Sequence, residues 1–97
     1  MIVYHVTPIE NLLSIMKYGL KPRRRAGLGM VLNFCRTKKY AIRIIKAPFW
    51  KMRETVGHII LTVRVYKKEL VNAWNMTLYS RIRIPSTRIM KIEWVGR

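Results

Sequence analysis

The chain has no aspartate and only four glutamates among its 97 residues. No paired-carboxylate pattern for acid–base work emerges from so few acids. Cysteine is scarcer still. Cys35 stands alone, which excludes an internal disulfide and a thiolate metal cluster and fits a reducing compartment. Two histidines scattered along the chain do not complete a zinc site with it. Long apolar runs are also missing: the longest is about five residues, far short of a membrane span. The first residues lack the basic-then-apolar pattern of a leader. No repeat, low-complexity linker, serine triad or phosphate-binding P-loop is present. These absences predict one intracellular, non-secreted domain with no metal and no membrane contact.

What the chain does have is positive charge. Twenty Lys and Arg against four Glu give a formal net charge of +16. Such an excess repels itself at low salt and calls for an anionic partner, most simply DNA or RNA. A membrane surface ranks second, but no predicted helix pairs a basic face with a bulky aromatic one. An acidic protein surface ranks third. Apolar residues make up 51% of the chain, enough to predict a folded core.

The first twenty residues, MIVYHVTPIENLLSIMKYGL, read as a strand, a helix and a glycine stop. Ile2, Val3, Tyr4 and Val6 are strand-formers. Thr7, Pro8 and Glu10 have the spacing of a capping box, with Thr7 as N-cap. Ile9, Leu12, Leu13, Met16 and Leu20 predict one apolar stripe. Gly19 is the left-handed residue past the helix, and Pro22 prevents a restart. His5 falls where strand meets helix, a position that tends to line a cleft in sheet proteins.

LKPRRRAGLGM then reads as a loop in which Arg23, Arg24 and Arg25 either hold phosphates or sit in solvent. Met30 to Phe34 reads as the next strand. Thr37 caps a helix with Ala41, Ile44 and Ile45 inward and Lys38, Lys39, Arg43 and Lys46 outward. Phe49 and Trp50 beside Lys51 and Arg53 either stack bases and hold phosphates or plug the core edge. HIILTVRVY is the strongest strand, with Ile59, Leu61, Val63 and Val65 on one face, and should be central. KKELVNAW reads as a turn or short helix, and Thr77 to Ile84 as a strand. Pro85-Ser86 turns into a last strand, Ile89 to Val95, with Met90, Ile92 and Trp94 inward and Lys91 and Glu93 outward.

Tyr-His-x-Thr at 4–7, Glu-Asn-Leu-x-x-Ile at 10–15 and Gly-Leu-x-Pro-Arg at 19–23 resemble the opening of the ADP-ribosyltransferase-like superfamily. That superfamily includes DNA-targeting ADP-ribosyltransferase toxins and, with a looser likeness, the tRNA 2′-phosphotransferases. ILTVRVYKKEL and IPSTRIMKIEW resemble its closing segments in order and spacing. The resemblance implies an α+β fold: a mixed, mainly antiparallel sheet of about five strands with two helices, in a split-sheet arrangement around a cleft. It implies NAD as the possible cofactor, with His5 on the ribose, Thr7 beside it, and Arg24 and Arg25 bordering the cleft. Phe34 or Tyr40 would stack on nicotinamide, with core packing as the alternative for both. His5 is then the candidate catalytic residue.

The pattern departs from the transferases at one decisive place. Their Glu shortly before the "IPP" turn falls here near Thr77 or Leu78, and neither is acidic. Three readings follow. The first is a small basic nucleic-acid-binding protein with degenerate catalytic residues, binding through Arg23, Arg24, Arg25, Lys38, Lys39, Arg43, Lys51 and Arg53. The second is an active NAD-dependent ADP-ribosyl or 2′-phosphotransferase acting on DNA or RNA. The third is a structural or inhibitory protein on an acidic protein surface. The missing Glu ranks the first above the second, so an enzyme is the lesser expectation.

Overall fold

The computed structural model describes residues 1–25, 27, 29–46, 57–74 and 76–96. Phe49, Trp50, Lys51 and Arg53 lie outside them. Seven strands and two α-helices follow one another as β1 (Ile2–Pro8), α1 (Leu12–Tyr18), β2 (Arg23–Arg25), β3 (Gly29–Cys35), α2 (Lys38–Ile45), β4 (His58–Arg64), β5 (Leu70–Trp74), β6 (Thr77–Ser80) and β7 (Ile89–Gly96). The sheet runs β5-β6-β3-β1-β4-β7, with β2 paired to β3 off that path. This is the expected α+β class, with more strands than the expected five. Every ladder among the described strands is antiparallel rather than mixed.

Side chains alternate across a strand, so a sheet covered on both faces is apolar on both. The register of β4 shows this. Ile59, Leu61 and Val63 join Val3, Phe34, Leu32, Leu78 and Ile84 in one buried cluster, which Ile15 and Leu20 close from the α1 side. Ile60 points the other way and joins Cys35, Ala41 and Ile45 under α2. The two helices therefore cover opposite faces. Burying each such aliphatic side chain contributes about 1.5–3 kcal/mol.

Helix α2 forms as its sequence predicts. The Thr37 hydroxyl accepts from the Tyr40 N–H at 3.1 Å, Ala41 and Ile45 are buried, and Lys39, Arg43 and Lys46 are exposed. Helix α1 departs from prediction. Thr7 stays in β1 opposite Ile59, and Pro8 precedes a 3-10 turn at Ile9–Asn11 without a side-chain cap. The expected capping box does not form, because pairing with β4 holds the chain extended through Pro8. The Thr7 hydroxyl accepts instead from Asn11 Nδ2 at 3.0 Å. The 3-10 turn also shifts the helical phase. Ile15 is buried, whereas Leu13 and Met16 are exposed. Gly19 adopts φ 82° as expected, and Leu20 and Ile84 exchange backbone hydrogen bonds at 2.8 and 2.9 Å.

Four further expectations are corrected. Residues 23–25 form a strand against β3 instead of a loop. KKELVNAW, expected as a turn or short helix, turns only at Lys67–Glu69 and then forms edge strand β5 over Leu70–Trp74. The strand beginning at Thr77 ends at Ser80, whose hydroxyl engages both the N–H and the C=O of Ile82. On β7, Ile92 and Trp94 lie opposite Leu61 and Ile59 but remain exposed, as does Met90. A register shift between Thr62 and Val63 turns Ile89 toward the core. β7 is also an edge strand. Strand β4 lies inside the sheet, paired on both sides, as predicted.

Candidate functional site where two strands part

Strand β1 pairs with β4 along its whole length, from Ile2↔Arg64 to Pro8↔His58. With β3 it pairs only at Tyr4↔Cys35. Immediately past that point the His5 side chain takes over: its Nδ1 lies 2.7 Å from the Asn33 carbonyl oxygen. A carbonyl only accepts, so Nδ1 is the donor in this contact. The Phe34 ring meets His5 edge-on, with centroids 5.8 Å apart. Together these contacts fix the imidazole where β1 and β3 diverge.

Thr7 follows on the same face of β1, two residues along. It is buried, and Asn11 Nδ2 donates to its hydroxyl. Thr7 therefore stands beside His5 but serves the start of the helical region. Phe34 is 1% exposed. It supports His5 from within the core and presents no face for stacking on a ring. Tyr40 packs partly buried against the α2 cluster, on the other side of the sheet.

Arg23 and Arg24 are exposed on β2, opposite Val31 and Met30, and Arg25 takes the position opposite Gly29. Val31 is three residues before Phe34, roughly 10 Å along the strand. Strand β3 thus links the arginine hairpin to the His5 position. Lys39, Arg43 and Lys46 form a separate exposed stripe on α2, at helical spacings of four and three. Alternation along β2 sends Arg23 and Arg24 to opposite faces, whereas α2 covers the face opposite His5. Lys38, expected among the binding residues, pairs with Glu93 at 2.6 Å while its side chain stays partly exposed.

Two of the described carboxylates, Glu93 and Glu69, are held in ion pairs. Glu93 faces Lys38 and Lys91, and Lys38 holds its carboxyl below the ordinary range. Glu69 is clasped by Arg88. Thr77 and Leu78 lie opposite Cys35 and Phe34 on β3 and bring no acid. Among the described residues no three His, Cys, Asp or Glu gather to hold a metal ion. No described helix is long and apolar enough to cross a membrane.

Two clusters escaped the sequence reading. Tyr18 has Lys17 and Lys21 ammoniums 5.2 and 4.8 Å from its ring centroid. Tyr66 is backed by Arg88, which Glu69 holds. The Tyr66-x-x-Glu69 spacing was a local signal for the second cluster. Arg88 is nineteen residues beyond Glu69, and nothing in the sequence links the two. No family model matches the chain, and no curated protein matches it.

Proposed function

We propose that this chain is a sequence-tolerant nucleic-acid-binding protein, built on an ADP-ribosyltransferase-like scaffold without the carboxylate that transfer chemistry uses. One observation carries the reading: a net charge of +16 whose cations stand in exposed groups, Arg23 and Arg24 on the hairpin and Lys39, Arg43 and Lys46 along α2. Arg forks suit phosphate oxygens, and a helical row of cations can follow a backbone. The test is a salt titration of oligonucleotide binding. Log affinity should fall with log salt by roughly 0.9 per phosphate contacted on duplex DNA. Replacing Lys39, Arg43 and Lys46 by Ala should flatten that slope. Affinity that stays flat from low to physiological salt, or no binding at all, overturns the reading.

A second reading, NAD-dependent transfer to nucleic acid, is favoured by the placement of His5 at the parting of β1 and β3. Cleaving nicotinamide from its ribose builds positive charge, which a nearby carboxylate stabilises. Glu69 and Glu93 are held by Arg88 and Lys38, which argues against either of them as that carboxylate. Incubation with labelled NAD and mixed oligonucleotides, with His5→Ala as control, separates the two. Binding without label transfer is expected. Transfer abolished by His5→Ala promotes the enzyme.

A further inference from the structure

The turn after β4 builds an aromatic surface held in place by one acid. Glu69 Oε1 accepts from the Tyr66 backbone N–H at 2.7 Å and from Arg88 Nη1 at 2.8 Å. Its Oε2 lies 3.3 Å from Arg88 Nη2. The guanidinium is thereby set against the Tyr66 ring, with Cζ 4.4 Å from the centroid. Arg88 also reaches the Arg64 carbonyl at 3.4 Å. Yet Tyr66 itself is 52% exposed.

Three features make this more than a surface tyrosine. The ring is backed by a cation that is itself clamped, so little rotamer freedom remains to be lost on binding. Glu69 is neutralised by Arg88, so the surrounding field comes from exposed Arg64, Lys67 and Lys68. Lys68 Nζ lies over the ring at 5.9 Å from its centroid on an exposed, unclamped side chain, which a stacking base displaces toward its own phosphate. An aromatic face among cations fits a flat, electron-rich group joined to a phosphate.

We propose that Tyr66 is a stacking platform for an unpaired base, with Lys67 and Lys68 on the flanking phosphates. The proposal rests on the nucleic-acid reading and adds selectivity to it. A paired base hides its face in the duplex stack, so this platform engages single strands or frayed ends and leaves duplex interiors to the cation groups.

The test compares an unstructured labelled oligonucleotide with a blunt, GC-clamped duplex of equal phosphate number, by fluorescence anisotropy at one salt concentration. Tyr66→Ala should weaken single-strand binding by about tenfold and leave duplex binding unchanged. Tyr66→Trp should keep or strengthen single-strand binding. Lys67→Ala with Lys68→Ala should reduce the salt slope on the single strand. Should Tyr66→Ala fail to fold, Tyr66→Leu replaces it, since leucine keeps bulk without a π-face. Equal loss on both substrates, or no loss on either, overturns the platform alone. Absence of any oligonucleotide binding by the unsubstituted protein overturns the platform and the proposed function together.

Discussion

Gly19 shows how narrowly one residue can be specified. Its φ of 82° suits glycine, and a Cβ added there would sit 2.6 Å from the Ile84 carbonyl oxygen. That carbonyl is also the acceptor for Leu20 N–H. Gly19→Ala must therefore strain the backbone and disturb the Leu20–Ile84 bridge. A loss of about 1–3 kcal/mol is expected, read from the denaturant midpoint. Cys35 is governed by burial instead. Loss of water around the thiol raises its pKa to about 11, and the side chain is 5% exposed. Alkylation near pH 8 should be slow in the native protein and rapid in denaturant, because the thiolate is the reacting form. Prompt labelling of the native protein would contradict this.

At the scale of elements, α2 is a locally written helix and β7 is not. Thr37→Ala removes the hydroxyl that accepts from Tyr40 N–H and should cost about 1 kcal/mol in chemical denaturation. An unchanged midpoint would show that the helix start is held by packing alone. The turn between β4 and β5 depends on an ionised acid. The Arg88 hydrogen bond, ahead of other causes, lowers the Glu69 pKa below its ordinary value of 4.5. A depressed folded-state pKa stabilises the protein fully above the unfolded value. That contribution fades as pH falls through the folded value. The thermal midpoint should thus decline on acidification below pH 4.5, and Glu69→Gln should remove part of the decline. Strand β7 was legible as a strand, but the burial of its face was not, because alternation assigns a face without saying whether anything covers it. Ile92 and Trp94 share the face of Leu61 and Ile59 yet stand at the sheet edge.

Across the whole molecule the dominant quantity is net charge. With +16 on 97 residues, the folded chain brings like charges closer than the unfolded chain does, so self-repulsion disfavours compactness. Added salt screens it over a Debye length of about 8 Å at physiological strength. The thermal midpoint should therefore rise as sodium chloride is increased from a few millimolar toward physiological strength. A midpoint that falls would mean that the described ion pairs at Glu69 and Glu93 outweigh the repulsion.

The sequence by itself determined the charge, the lone cysteine, the period-two core of β4, the cap and faces of α2, and the turn at Gly19. Each of these is set by a residue's own chemistry or by neighbours within one helical or strand repeat. The tertiary structure alone decided that Thr7 stays in the sheet, that residues 23–25 become a strand, and that Ile15 replaces Leu13 in the core. It alone decided that β1 and β3 part beside His5, and that Arg88 comes under Tyr66. Those outcomes depend on backbone pairing and side-chain contacts between residues far apart in the chain. The free energy of such a contact exists only once both partners have been brought together, and local propensity carries no record of it.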